Sequence, residues 1–351
     1  MINDIKVETR VIGLSHMPFV IAELSGNHNQ SLNRALALVD AAANAGVDAV
    51  KLQTYTADTM TIDLKEREFF IDDRKSLWYG KSLYELYKEA HTPWEWHQPI
   101  FERCKKLGLI CFSTPFDNTA VDFLEDLGTP CYKIASFENT DTRLLCKVAN
   151  TGKPVIISTG MAGLSDLELM VNTIREAGCN DFVLLKCTSS YPTSPKNANI
   201  LTIPHMRKMF NCHVGLSDHT LGVGVAVASV ALGATVIEKH LTLSRGDGGV
   251  DAAFSLEPYE MKILAEETKR AFQGLGKIIY NNVEDEERFK AFRRSLYFVK
   301  DMKKGEKITE DNMKAIRPGY GLPVKYYEFL LGNRVKKDIV RGTALAWKMI
   351  E

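Results

Sequence analysis

Eight short apolar runs, each closing on polar residues, set the strongest limit on how this 351-residue chain can fold. They read FVIAELS (19–25), DAVKLQT (48–54), LICFSTP (109–115), CYKIAS (131–136), PVIISTG (154–160), FVLLKCT (182–188), HVGLSD (213–218) and TVIEKH (235–240). Strands apolar on both faces belong in a sheet that is covered on both sides, as parallel sheets are. Stretches of helical length separate most of the runs. In the first, Leu32, Ala35, Leu36, Val39, Ala42 and Ala43 share one face, with Ser31 placed to cap the start and Gly46 to stop the end. Eight strands alternating with helices over about 280 residues predict a (β/α)8 barrel. The longest apolar run, residues 223–237, is too short to span a bilayer and reads as a buried helix leading into a strand.

One connection is longer than a single helix needs. About 55 residues separate the second run from the third, and long insertions in compact domains are commonly functional. The excess, 55–91, is rich in charge and aromatics and should lie over the C-terminal mouth of the barrel, covering a substrate. After Gly276 the pattern changes. The charged stretch NNVEDEERFKAFRRS (281–295) reads as a linker, and the rest of the chain is turn-rich. The expected organisation is a barrel over 1–282, a linker over 283–293 and a small loop-rich domain over 294–351, too small to bury much core of its own.

Composition removes several functions. Forty-four Lys and Arg balance forty-four Asp and Glu, so the chain lacks the basic footprint of a nucleic-acid binder or a membrane-surface protein. A small anion met by a local cluster of cations remains open. Seven scattered cysteines without a C-x-x-C pair fit a reducing cytoplasm better than a disulfide framework. The segment MINDIKVETR carries early acidic residues and no apolar core, so no signal peptide is expected. Gly222-Val-Gly224 resembles the start of a dinucleotide fingerprint, but Val227 stands where the third glycine belongs.

A barrel presents its reacting groups where its strands end. Those positions hold Glu23, Lys51, Ser113, Thr114, Lys133, Ser136, Ser158, Thr159, Lys186, Thr188, Ser217, Asp218, His219, Glu238 and His240. Three lysines among hydroxyls suit an anionic, phosphorylated ligand. Any single Ser or Thr is explained as well by capping a helix. Inward lysines on apolar strands are not, because they cost desolvation unless paired. His219 and His240 end successive strands and face each other across the mouth. They are either ligands of a divalent metal with open coordination sites or hydrogen-bonded structural residues. His28, close to Glu23 in ELSGNHN, is a further histidine placed near the mouth.

Taken together, IAELSGNHN, KLQTYTAD, FSTPFD, YKIASFE, IISTGM, LKCTSSYPT, GLSDHTLG and VIEKH resemble the motifs of the sialic acid synthase family, in order and over nearly the whole chain. RSLYFVKDMKKGEKITEDNMKAIRPGYG resembles the antifreeze-like (SAF) module of those enzymes. The resemblance implies condensation of phosphoenolpyruvate with an open-chain amino sugar, giving a nonulosonic acid and phosphate. SLYELYKEAHTPWEWHQPIFE (82–102), Ser136-Phe137-Glu138 and GLSDH are similar to the branch that converts a 2,4-diacetamido-2,4,6-trideoxy hexose to pseudaminic acid. The N-acetylneuraminate and legionaminate branches share the chemistry and differ in the sugar. A non-catalytic carbohydrate-binding barrel is the reading of a different class, and the intact lysine and histidine set speaks against it.

Carried onto this sequence, the resemblance implies Lys51, Thr114, Lys133, Ser136, Ser158 and Ser217 as phosphoenolpyruvate ligands. It implies His219 and His240 as ligands of manganese or magnesium, Glu23 and Asp251 as acid–base residues, and Glu138 and Tyr191 on the sugar side. Phe137, with Trp78, Tyr79, Tyr84 and Tyr87 of the insertion, is expected to offer apolar surface to a 6-deoxy sugar. Arg317, in IRPG, resembles the arginine that the module of one subunit delivers to the barrel of its partner, which implies a domain-swapped homodimer. Delivery in trans has a direct test. Co-expressing an Arg317→Ala chain with a Lys51→Ala chain should recover part of the activity, since one composite site regains both residues. A verified heterodimer as inactive as its parents would rule the arrangement out.

Overall fold

A computed structural model describes residues 2–280 and 284–351. All eight apolar runs fold as strands. They are β3 (Phe19–Glu23), β4 (Ala49–Thr54), β5 (Ile110–Pro115), β6 (Tyr132–Ile134), β7 (Val155–Ser158), β8 (Phe182–Cys187), β9 (His213–Ser217) and β10 (Val236–His240), preceded by a hairpin of β1 (Ile5–Val7) and β2 (Arg10–Ile12). The eight pair in parallel and in chain order, and β10 closes on β3 with Val236 opposite Phe19 and His240 opposite Glu23. The fold is a closed (β/α)8 barrel.

Two-residue alternation sorts each strand into an inner and an outer face. On β3, Phe19 and Ile21 point into the barrel core while Val20 and Ala22 pack outward under the helices. The same alternation carries Glu23, Lys51, Lys133, Glu238 and His240 onto the inner face. No periodic pattern announces the β1–β2 hairpin. Its Ile5, Val7 and Ile12 join Phe19, Phe112, Ile156, Val183 and Val236 in one buried cluster, which fills the barrel at the N-terminal ends of the strands and keeps water from reaching the polar groups from below.

Local signals act where the sequence puts them. Ser31 accepts from the backbone of Arg34 at the start of helix Leu32–Ala45, and Gly46 ends it with φ 77°. The run over 223–237 divides into helix Gly224–Ala231 and β10. Among the described residues no helix is long and apolar enough to cross a membrane. All seven cysteines are free thiols.

The chain separates into two compact units, Met1–Gly276 and Lys277–Glu351. The junction expected at 282–283 falls on residues 281–283, outside the described residues. In the second unit a 3₁₀ helix covers Glu284–Phe292, and β11 (Ser295–Phe298) pairs antiparallel with β12 (Met313–Ile316). Leu296, Phe298, Met302, Ile308, Met313, Leu330 and Val335 form a core of its own. Arg317 follows β12 directly and is exposed.

Candidate active site

A cavity of about 300 Å³ opens at the C-terminal ends of the barrel strands. Its walls carry Glu23, Lys51, Lys133, Ser136, Glu138, Ser158, Tyr191, Ser217, His219, His240 and Asp251. Eleven of the thirteen sequence-derived site residues therefore meet in one place. Thr114 stands just behind, accepting from Lys51 Nζ at 3.1 Å. Arg317 belongs to the other unit.

Four buried charges make the floor. Lys51 Nζ lies 2.5 Å from Glu23 Oε2 and 3.8 Å from Glu238 Oε2, and Lys133 Nζ lies 3.7 Å from Glu238 Oε1. Hydroxyls complete the set. Lys133 Nζ donates to Ser158 Oγ at 2.6 Å, Ser217 Oγ donates to Glu238 Oε1 at 3.0 Å, and Ser136 Oγ accepts from Gly160 N at 3.1 Å. Gln53 Nε2 donates to Glu23 Oε1 at 2.9 Å and fixes its carboxylate. Burial and the nearby Glu238 charge raise the pKa of Glu23 against the pull of Lys51. Burial opposes the Lys51 ammonium too, but Glu23 and Glu238 outweigh it and hold its pKa above the ordinary value. Lys133 goes the other way, because burial exceeds the help it gets from Glu238. The floor is thus a charge-paired cradle lined by hydroxyls, whose two ammoniums suit a small anion with several oxygens.

Above it stand the two imidazoles. The rings of His219 and His240 lie 5.3 Å apart at 59°. His219 Nδ1 is 3.2 Å from the Thr188 carbonyl and 3.9 Å from Cys187 Sγ. His240 Nδ1 is buried without a hydrogen-bond partner, 3.8 Å from Asp251 Oδ2. Burial, then the nearness of His219, keeps His240 well below its usual pKa and hence neutral. A neutral buried ring with an orphaned nitrogen beside a second imidazole fits a divalent metal ion. Among the described residues no group of three or more His, Cys, Asp and Glu side chains is placed to hold one. Two protein ligands would leave the remaining positions to substrate and water, the arrangement of a catalytic rather than a structural site.

The long insertion forms one wall. Met60, Trp78, Leu86, Tyr87 and Ala90 line the cavity with Tyr55, Phe116 and Phe137. Trp78 Nε1 donates to the Val250 carbonyl at 2.9 Å, tying the insertion to the loop that carries Asp251, and its ring sits 6.1 Å from that of Tyr191. Tyr79 and Tyr84 do not line the cavity. Tyr79 is half exposed, and Tyr84 turns its hydroxyl to Asp58 at 3.1 Å.

Two further expectations are corrected. Lys186 is not in the mouth. It neighbours the inward Cys187, so alternation turns it outward, where Nζ donates to the Cys187 carbonyl and Thr188 Oγ1. His28 is structural. It packs edge-on against Trp96, lies 3.3 Å from Thr92 Oγ1, and is pulled to a pKa of about 4 by burial. In return, Glu238, a strand-end residue given no role by the resemblance, belongs to the site, as does Gln53, which the strand-end reading passes over. Each stands two residues from an inward-facing group, His240 and Lys51, and that spacing alone puts them on the inner face.

With this geometry in hand, relatives are informative. The NeuB family matches residues 38–280 and the SAF domain matches 293–351. The chain is 43% identical over 327 residues to the pseudaminic acid synthase of Campylobacter jejuni, covering 93% of this chain and 95% of that one. It is 35% identical over 355 residues to the N,N'-diacetyllegionaminic acid synthase of Legionella pneumophila, covering 100% and 98%. The crystal structure of an N-acetylneuraminic acid synthetase from Leptospira borgpetersenii in complex with citrate superposes with a TM-score of 0.73 at 32% identity, over 83% of this chain and 96% of the other.

Glu138 yields a measurable consequence. Its Oε2 is buried without a partner, and burial lifts the carboxyl to a pKa of about 7 against the pull of Lys133. A folded pKa above the unfolded one means that the stabilisation is full below about pH 4.5 and is lost as pH rises through 7. Between pH 5 and pH 8 the wild type should therefore lose on the order of 3 kcal/mol that Glu138→Gln keeps. Urea denaturation of both proteins at the two pH values measures the difference. Parallel pH dependences would show that Glu138 titrates normally.

Proposed function

This chain belongs to the NeuB family, and we propose that it is a transferase condensing phosphoenolpyruvate with a 2,4-diacetamido-2,4,6-trideoxy hexose to give pseudaminic acid and phosphate. The observation that carries the reading is the meeting, in one cavity, of a two-lysine, two-carboxylate floor with an apposed imidazole pair. The floor suits a phosphorylated acid, and the imidazoles suit the reactive end of a sugar.

The reaction forms a bond from C3 of phosphoenolpyruvate to the aldehyde carbon, whose oxygen gains a proton. Water adds at C2, and the C2–O bond breaks to release phosphate. Lys51 and Lys133, aided by Thr114, Ser136, Ser158 and Ser217, hold the phosphate and carboxylate through these steps. Glu23, raised by burial and fixed by Gln53, takes the proton of the attacking water. Asp251, also raised by burial and 3.8 Å from His240, serves as the acid at the aldehyde oxygen. A manganese or magnesium ion held by His219 and His240 would supply Lewis-acid polarisation of that carbonyl when bound. Glu138 and Tyr191 face the sugar's polar substituents, and the insertion with Phe137 excludes water from the top. Arg317 closes the site from a partner subunit in a domain-swapped homodimer. The enzyme works in the cytoplasm, where phosphoenolpyruvate is available and seven free thiols persist.

Identity of the sugar is the sharpest test. Trp78, Tyr87 and Phe137 put apolar surface where the sugar enters. Burying a methyl-sized group contributes about 0.8 kcal/mol, and a hydroxyl left without partners adds a penalty of about 1–3 kcal/mol. Selectivity for the deoxy diacetamido sugar over N-acetylmannosamine should then be roughly 20- to 600-fold in kcat/KM, at about 1.4 kcal/mol per tenfold. Phosphate release and product mass with a panel of amino sugars measure it. Equal rates, or a preference for N-acetylmannosamine, would move the chain to the N-acetylneuraminate branch, and preference for the stereoisomeric diacetamido sugar would move it to the legionaminate branch.

A further inference from the structure

Asp218 and Lys239 take no part in the chemistry above, yet both are buried, at 4% and 1% exposure. Lys239 lies between two inward residues, Glu238 and His240, so its side chain leaves the barrel on the outer face. There Lys239 Nζ donates to Asp218 Oδ2 at 2.7 Å and to the Thr220 carbonyl at 2.5 Å. Asp218 Oδ1 accepts from Thr220 N at 2.9 Å, and Asp218 N donates to the Glu238 carbonyl at 3.0 Å. His219 is the residue between the two that are gripped, and Thr193 N holds its carbonyl at 3.0 Å. One ammonium therefore fastens the chain on both sides of the first imidazole, while the next residue along its own strand is the second.

We propose that Asp218 and Lys239 are a positioning pair that sets the spacing and orientation of His219 and His240, and through them the affinity of the site for a divalent cation. The inference rests on reading the two histidines as metal ligands. Stability alone is a poor reason for such a pair, since buried ion pairs can commonly be replaced by neutral groups without loss. A site with only two protein ligands has no third side chain to restore geometry, so each imidazole must already be placed when the ion arrives. Groups that orient ligands from behind are typically worth 10- to 100-fold in metal affinity.

The test compares wild type with the double variant Asp218→Asn/Lys239→Met by titration calorimetry with Mn2+ and, separately, with phosphoenolpyruvate. The double change leaves no bare buried charge, and asparagine keeps the acceptor for Thr220 N. Expected are a thermal midpoint close to wild type, phosphoenolpyruvate affinity within twofold, Mn2+ affinity reduced 10- to 100-fold, and an altered visible spectrum of the Co2+-loaded protein. Asp218→Asn alone, which weakens the grip without removing it, should lose three- to tenfold. Mn2+ affinity within twofold of wild type with an unchanged Co2+ spectrum would overturn the proposal, as would an equal loss of both affinities, which would assign the pair to the mouth as a whole. Wild-type protein that binds phosphoenolpyruvate but no Mn2+ would instead overturn the reading of the histidines as ligands.

Discussion

Four charges sealed inside an apolar barrel govern this molecule. Glu23, Lys51, Lys133 and Glu238 are each at most 4% exposed, and removing an ion from water costs several kcal/mol even after relaxation. They are tolerable together because each ammonium lies within 4 Å of a carboxylate and because Thr114, Ser158 and Ser217 each add a hydrogen bond, to Lys51, Lys133 and Glu238 in turn. Removing Lys51 would strand Glu23, and removing Glu238 would strand Lys133. The constraint extends downward, since the hairpin cluster of Ile5, Val7 and Ile12 keeps the floor dry, and upward, since the insertion narrows the opening.

The barrel is legible in the sequence because its information is local and repeated. Eight runs with two-faced apolarity, separated by helices, admit few arrangements, and right-handed parallel crossovers reduce them further. Ser31 and Gly46 illustrate how completely one helix is specified by its ends. The site is legible for a related reason. In a parallel barrel every strand ends on the same side, so the strand ends together make up the mouth.

The features that escape such a reading do so for physical causes. The β1–β2 hairpin is three residues on each side, too short for alternation to register, and it is held by contacts with the barrel core that no local pattern announces. Lys186 is misplaced when strand ends are counted without asking which face each residue takes. Applied strictly, the same alternation removes Lys186, keeps Glu238 and adds Gln53. His28 is drawn in by proximity in sequence to Glu23, although the turn between them carries it to Trp96 and Thr92 instead. Tyr79 and Tyr84 sit in an irregular segment, where spacing does not determine direction.

The unequal distances in the floor explain how a site already neutralised can accept an anion. The Lys51–Glu23 contact is short, at 2.5 Å, whereas both contacts to Glu238 are long, at 3.7 and 3.8 Å. Coulomb attraction falls with distance, and at these separations the long pairs lack direct hydrogen bonds to hold them. On the proposed reading, a phosphate entering between Lys51 and Lys133 replaces Glu238 as their partner and leaves the Glu23 contact in place. Glu238 stays tethered at one oxygen by Ser217, which holds it back from full collapse onto either lysine. The floor is therefore paired well enough to be stable when empty and loosely enough to exchange one carboxylate for a better-charged ligand. That balance depends on Glu238 standing back by about 1 Å from hydrogen-bonding distance, a separation set by the register of β10 against β9 and β3.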